Sequence, residues 1–355
     1  MGSLIFFNTC YFLNNDLMKK SILILTSYPD PHIDRVLEIL NKNGKNSIAL
    51  YANMFGKNQY VEYNPKENEP LTFVLRVKKY TLNDFSGLWF RKPHLWLESE
   101  DQHDHDPDKM MSIMYKRNEI IAMFSRGIMN EAQKKGIFII NSIDLLMLSS
   151  NKLDQLNTAN KLGFSIPETL ISADYDSLLS FISNHDGKAV IKNIVTSQIR
   201  YGKYSRLFFT IPITKNKFVN YHKLKPIDYP LFLQEEIEKK IELRITIIGK
   251  KVFATALDSQ STKLGKTDWR REIPENIKHS VYILPIEIEK GCLDLLRHYH
   301  LQFGTIDMAV TPEGKYVFFE LNPNGQYLWI ENLTKQPLSK AIAELLMNPE
   351  ENKLV

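Results

Sequence analysis

Three oxygen-bearing side chains late in the chain, Asp307, Glu320 and Asn322, have the types and spacing to hold a hard cation. The stretch YVFFELNPNGQ starts as an apolar strand and ends in Glu320, Leu321, Asn322 and a Pro-Asn-Gly breaker. Side chains alternate along a strand, so Glu320 and Asn322 share one face with Phe318, and Val317, Phe319 and Leu321 take the other. An isolated E-x-N is also compatible with a solvated strand end. The preceding FGTIDMAV reads as a second strand, joined through TPEGK, where Pro312 and Gly314 carry turn chemistry. A two-residue loop would put Asp307 on the same face as Glu320; a three-residue loop would turn it away. With the short loop, the three residues offer the hard oxygen donors that magnesium takes, leaving room for water and phosphate oxygens.

Cationic residues precede this pair. Lys192 ends the apolar strand AVIKN, where it could meet a phosphate or merely snorkel to the surface. Lys152 opens a helix, and a positive charge there opposes the helix dipole unless an anion lies nearby. In ELRITIIG, Glu242 and Arg244 fall on one strand face. TDWRRE sets Arg270 and Arg271 beside Asp268 and Trp269; such guanidinium forks suit carboxylates and phosphates, though a surface charge pair flanking a packed Trp is as good a reading of that segment alone. His103 and His105 sit in an acidic, Pro-containing stretch that reads as a solvated loop rather than a metal site.

The elements that must position these groups follow from periodicity. Ser21 to Thr26 is a buried strand, followed by an amphipathic helix marked by Ile33, Val36, Leu37 and Leu40, and a strand near Ser47 to Tyr51. A mixed region leads to the strand of FSGLWFRKP, then a long helix over Asp108 to Lys135 and the strand GIFIINS. NKLDQLNTANKLG is a helix with its stop signal; PETLIS and KAVIKN are strands around a helix from Tyr175 to His185. LFLQEEI and a hairpin centred on Gly249 follow, and LSKAIAELLMN closes the chain as a helix.

The totals fit this picture. The chain has 355 residues, 43% apolar and 24% charged, with a net charge of +4, which makes no case for nucleic acid. Its two cysteines, Cys10 and Cys292, give no disulfide framework, so a cytoplasmic location is expected. The apolar start MGSLIFFNTCYFLNND lacks a basic lead and a cleavage pattern and is too short to span a bilayer. Residues 1–17 are expected to be a loose extension, or translation to start at Met18.

In order, Lys152, Lys192, LFLQEEI, ELR, DWRR, TID and FELN resemble the ATP-grasp superfamily over nearly the whole chain. DSQ…DWRR, NPNGQYLW and LWFRKP look more narrowly like the graspetide synthetases, the microviridin-type peptide macrocyclases. The resemblance implies an α/β (α+β) ATP-grasp fold: an N-terminal α/β domain (18–142), a central domain (143–233) and a C-terminal antiparallel-sheet domain with the magnesium site (234–355). It implies that Lys152 and Lys192 contact ATP phosphates, that Gln234, Glu235, Glu236 and Ile237 form the adenine hinge, and that Glu242 takes the ribose. Asp307, Glu320 and Asn322 would hold Mg2+, and Arg244 and Arg270, with Arg271, would steady the transferred phosphoryl group. The implied partner is a precursor peptide whose Asp or Glu side chains are activated and closed onto Ser, Thr or Lys. Its leader would dock on the central-domain hairpin and ITKNKFVNYHKLK. A homodimer is implied, and neither nucleic acid nor membrane. One departure is the loop IVTSQIRYGKYS, which has only Gly202 where ATP-grasp phosphate loops are often richer in glycine. A ligase adding a free amino acid, or a non-catalytic nucleotide-dependent peptide binder, are the competing readings.

Overall fold

The computed structural model describes residues 20–56, 59–75, 77–92, 107–193, 198–201, 204–222 and 226–355. The expectations placed on residues 1–17, His103, His105 and Gly202 lie outside them.

The first unit is a parallel sheet. Its strands β1 (Ser21–Thr26) and β2 (Ser47–Tyr51) are followed by a small antiparallel sheet of β3 (Gln59–Tyr63), β4 (Leu71–Leu75) and β5 (Lys78–Thr81), then by β6 (Phe85–Phe90) and β7 (Phe138–Ile140). The parallel order is β2-β1-β6-β7. The run SILILT is apolar on both faces because both are covered: Ile22 and Ile24 join one core, Leu23 and Leu25 another. The helix Pro31–Lys42 starts on Pro31, with Asp30 as its N-cap accepting from His32 N–H. The C-terminal helix Leu338–Met347 buries Ile342, Leu345 and Leu346 in the core that contains Ile22 and Ile24. The first and last parts of the chain therefore share one core.

The central unit holds β8 (Thr169–Ser172), β9 (Lys188–Lys192), the hairpin β10 (Gln198–Tyr201) and β11 (Tyr204–Leu207), β12 (Ile211–Thr214) and β13 (Leu231–Gln234). Its sheet runs β12-β9-β13-β8 over a small core of Leu178, Ile182, Ala189, Phe218 and Leu233. The last unit is an antiparallel sheet, β16-β15-β14-β17-β18. Its strands are β14 (Ile241–Ile248), β15 (Lys251–Leu257), β16 (His279–Tyr282), β17 (Phe303–Val310) and β18 (Tyr316–Asn322). One face packs Leu243, Ile245, Ile306 and Met308 against the helix Ile286–His298. The opposite face of β14 and β17 carries Glu242, Arg244 and Asp307.

The β17–β18 connection departs from the short-loop expectation. Thr311 and Lys315 close a three-residue turn: Thr311 N–H donates to Lys315 O at 3.0 Å, and Gly314, at φ 87°, donates its N–H to Thr311 O at 2.9 Å. That turn alone would set Asp307 against Phe319. A β-bulge intervenes: Met308 pairs with Phe318, yet Asp307 pairs with Glu320, so Phe319 is the extra residue. The bulge also reverses the expected sides of Phe318 and Phe319. Phe318 joins Leu321 in the hydrophobic core, and Phe319 faces the cleft.

Candidate active site

A cleft opens between the central sheet and the site face of the C-terminal sheet. Lys152, Lys192, Gln234, Glu235, Glu236, Ile237, Glu242, Arg270, Asp307 and Glu320 all line it.

At its inner end the carboxylates of Asp307 and Glu320 meet. Asn322 Nδ2 donates to Asp307 Oδ2 and to Glu320 Oε1, both at 3.2 Å, so the three side chains converge on one point. Among the described residues no three His, Cys, Asp or Glu side chains gather as a metal site. Here the set is two carboxylates and one amide, whose oxygen faces the same point when the amide is turned over. These hard, incomplete donors fit magnesium, which keeps several waters or phosphate oxygens.

Each carboxylate has a cationic neighbour. Arg244 Nη1 reaches Asp307 Oδ1 and Oδ2, both at 2.8 Å, from the directly paired position on β14. Lys152 Nζ pairs with Glu320 Oε2 at 2.9 Å and donates to Asn193 O at 3.1 Å. The anion that the helix-opening lysine called for is therefore Glu320. The same helix fixes the strand: Gln155 donates to Leu321 O at 2.7 Å and accepts from Leu321 N–H at 2.9 Å. Burial pushes the Asp307 carboxyl up, with Arg244 opposing and the charge on Glu320 reinforcing it. Burial would also raise Glu320, but Lys152, Arg270 and Lys192 together hold it well below the usual carboxylate range. Lys192 Nζ lies 4.5 Å from the centre of the Phe319 ring, and burial lowers its ammonium pKa.

At the other end, Gln234 donates to Thr169 Oγ1 at 3.0 Å. Glu235 N–H is committed to Glu168 O at 3.0 Å, so its carbonyl is what it can offer a base edge. Glu242 accepts from Lys239 Nζ (2.8 Å) and Ser259 Oγ (2.9 Å), both on Oε1, leaving Oε2 for a further donor. Arg270 is gripped by Asp268 through Nε (2.9 Å) and Nη2 (2.7 Å). Thr210 N–H adds a bond to Asp268 Oδ2 at 3.0 Å. Burial would raise Asp268, but Arg270 and these bonds bring its pKa down to about 2. Arg271 turns the other way: it donates to Thr210 O at 3.1 Å, sits 5.3 Å from the centre of the Phe209 ring and is not part of the cleft lining.

Sequence reasoning did not select Lys239 or Asp268 as site residues. Lys239 alternates inward with Ile237 while Lys240 is exposed, a period-two signal visible in EIEKKIE. Asp268 N-caps the short turn Trp269–Arg271, which the D-x-R spacing could have suggested.

An antiparallel central lobe and a C-terminal sheet enclosing a lysine- and carboxylate-lined cleft, with a parallel-sheet N-terminal unit packed against the C-terminal part, are the architecture of an ATP-grasp ligase. No protein-family model matches the chain, and no curated protein is similar to it by sequence. Solved structures are. A RiPP-associated ATP-grasp ligase of Chryseobacterium gregarium, in complex with ADP and a leader and core peptide, is 29% identical with a TM-score of 0.80, covering 93% of this chain and 97% of that one. The macrocyclase MdnC of Microcystis aeruginosa MRC, bound to precursor peptide MdnA, is 28% identical with a TM-score of 0.77, covering 93% and 100%. The ATP-grasp ligase PsnB, complexed with a minimal precursor, Mg and ADP, shares the fold at 14% identity and a TM-score of 0.69, covering 93% and 98%. Within the ATP-grasp class the likeness is thus to graspetide-type ligases.

Proposed function

We propose that this protein is an ATP-dependent peptide macrocyclase. It activates Asp or Glu side-chain carboxylates of a precursor peptide as acyl phosphates and closes them onto Ser, Thr or Lys as esters or amides. The observation that carries this reading is one cleft lined by Asp307, Glu320, Lys152, Lys192 and Arg270, with Asn322 bonded to both carboxylates.

Bound at the three oxygen donors, Mg2+ would supply charge neutralisation at the β- and γ-phosphates. Lys152 and Lys192 hold phosphate oxygens, and Gln234 through Ile237 form the adenine hinge. Glu242 takes the ribose through Oε2. Arg270, preorganised by Asp268, stabilises the transferred phosphoryl group and the acyl phosphate; Arg244 acts from the floor of the site. Arg271 supports the same turn from behind. A hydroxyl or amine of the same peptide attacks the acyl carbon, phosphate leaves, and the nucleophile's proton is lost; tethering both groups on one chain makes the step effectively intramolecular.

The two similar structures above 25% identity carry peptides in their complexes, which supports a leader-bearing substrate docked near the central hairpin and the helix Lys215–His222. A homodimer is the assembly we favour, because Ile113, Ile120 and Met123 leave an apolar stripe exposed on the long helix Pro107–Lys134. Among the described residues no helix is long and apolar enough to cross a membrane; a cytoplasmic site of action is proposed from the cysteine usage.

The test is intact-mass analysis of a candidate precursor, encoded beside this gene, after incubation with the protein, ATP and Mg2+. ATP-dependent loss of one water per ring is expected. A mass gain equal to an added amino acid would replace this reading with a free-amino-acid ligase.

A further inference from the structure

In open parallel α/β sheets the crevice beyond the carboxyl ends of the strands, where connections diverge to opposite sides, is the usual ligand site. Here β1 is flanked by β2 on one side and β6 on the other, which creates such a point. The protein fills it with its own loop. Arg91, the first residue after β6, is 1% exposed and donates from Nη1 to Asn324 O (3.1 Å) and Asn324 Oδ1 (2.8 Å). Asn324 Nδ2 donates back to Arg91 O. Asn141, just after β7, donates to Pro323 O at 2.9 Å.

The gripped loop is the direct continuation of the metal-binding strand. Gly325 N–H returns to Asn322 O at 3.2 Å, and a Cβ on Gly325 would lie 2.9 Å from Arg244 Nη2. The loop therefore sets both Asn322 and the guanidinium that holds Asp307. A buried guanidinium is costly to keep, and its nearest acid, Asp30, is 3.9 Å from Nε. An apolar residue there would leave Asn324 O and Oδ1 without this donor, whereas a planar fork fixes the orientation of what it binds.

We infer that Arg91 is a positioning residue for the magnesium–nucleotide site, acting through Asn324 on Asn322. This rests on the metal assignment proposed above. It explains what LWFRKP contributes: the N-terminal domain braces the catalytic strand instead of offering its crevice to a ligand.

The test is calorimetric ADP affinity of the full chain with EDTA and with Mg2+, alongside Tm, for the wild type and for Arg91→Lys, Asn324→Ala and Asn322→Ala. Outer partners of metal ligands are typically worth about tenfold or more in metal affinity, so the Mg2+-dependent gain should fall about tenfold in all three variants, with EDTA affinity within about twofold of wild type. Should Arg91→Lys fail to fold, Asn324→Ala gives the same reading. A lower Tm with the full Mg2+ gain in Arg91→Lys and Asn324→Ala, but not in Asn322→Ala, overturns the positioning role and leaves the metal assignment standing. An undiminished gain in Asn322→Ala overturns both.

Discussion

Arg244 and Asp307 face each other directly across the β14–β17 ladder, one guanidinium nitrogen 2.8 Å from each carboxylate oxygen. The pair is almost wholly buried, with side chains 7% and 15% exposed. Removing one partner of such a pair leaves an uncompensated charge, and the floor of the cleft depends on it.

Arg244→Lys is expected to lower kcat by about a hundredfold with the fold retained, because an ammonium on a flexible stem cannot reproduce the guanidinium's fixed contacts to both oxygens. Steady-state kinetics with the cyclised precursor as readout would check this. Wild-type kcat in the lysine variant would remove Arg244 from the site.

Glu320→Gln keeps the shape of the strand end but removes a charged metal ligand and the partner of Lys152. Turnover should fall by about a thousandfold or more, and raising Mg2+ should recover little of it, since hard cations need the carboxylate. Unchanged turnover would refute the placement of the metal.

Gly325→Ala addresses packing. The added Cβ would stand 2.0 Å from Thr305 Oγ1 and 2.9 Å from its Cγ2, so the Thr305 side chain or the loop must shift. Overpacking of this kind costs about 1–3 kcal/mol. Thr305→Ala in the same chain should recover part of that loss, a non-additivity that urea titration of the two single variants and the double variant would reveal.

The N-terminal cap Asp30 gives a pH signature. Burial would raise its carboxyl, but the His32 bond and Arg91 bring it down from 3.8 to about 2. A depressed folded pKa means stability present above the unfolded value and lost as pH falls toward 2. That contribution is about 2 kcal/mol near neutrality and falls by roughly half by pH 3. The stability gap between wild type and Asp30→Asn should narrow accordingly in urea titrations at pH 6 and pH 3. A constant gap would place the effect of Asp30 outside its charge.

The sequence by itself determined the elements and the donor chemistry. Continuous apolar runs such as SILILT mark strands covered on both faces, and the alternation in ELRITII puts Glu242 and Arg244 together, because both patterns are local. Lys152, Lys192, Asp307, Glu320 and Asn322 each had a plain alternative at a strand or helix end; what singled them out was their order along the chain and its resemblance to the ATP-grasp superfamily. Tertiary structure alone decided how they meet. The turn after Val310 has the length that separates Asp307 from Glu320, and only the bulge at Phe319 rejoins them. The bulge places Phe318 in the core and Phe319 beside Lys192, a choice made by packing against a second layer. The directions of Arg270 and Arg271 are set by Asp268 and Thr210 in the same way. Arg91 finds Asn324 across 233 positions of sequence. Periodicity reports which face of an element is buried, but not which distant group will be waiting there, and that pairing exists only once the layers have packed.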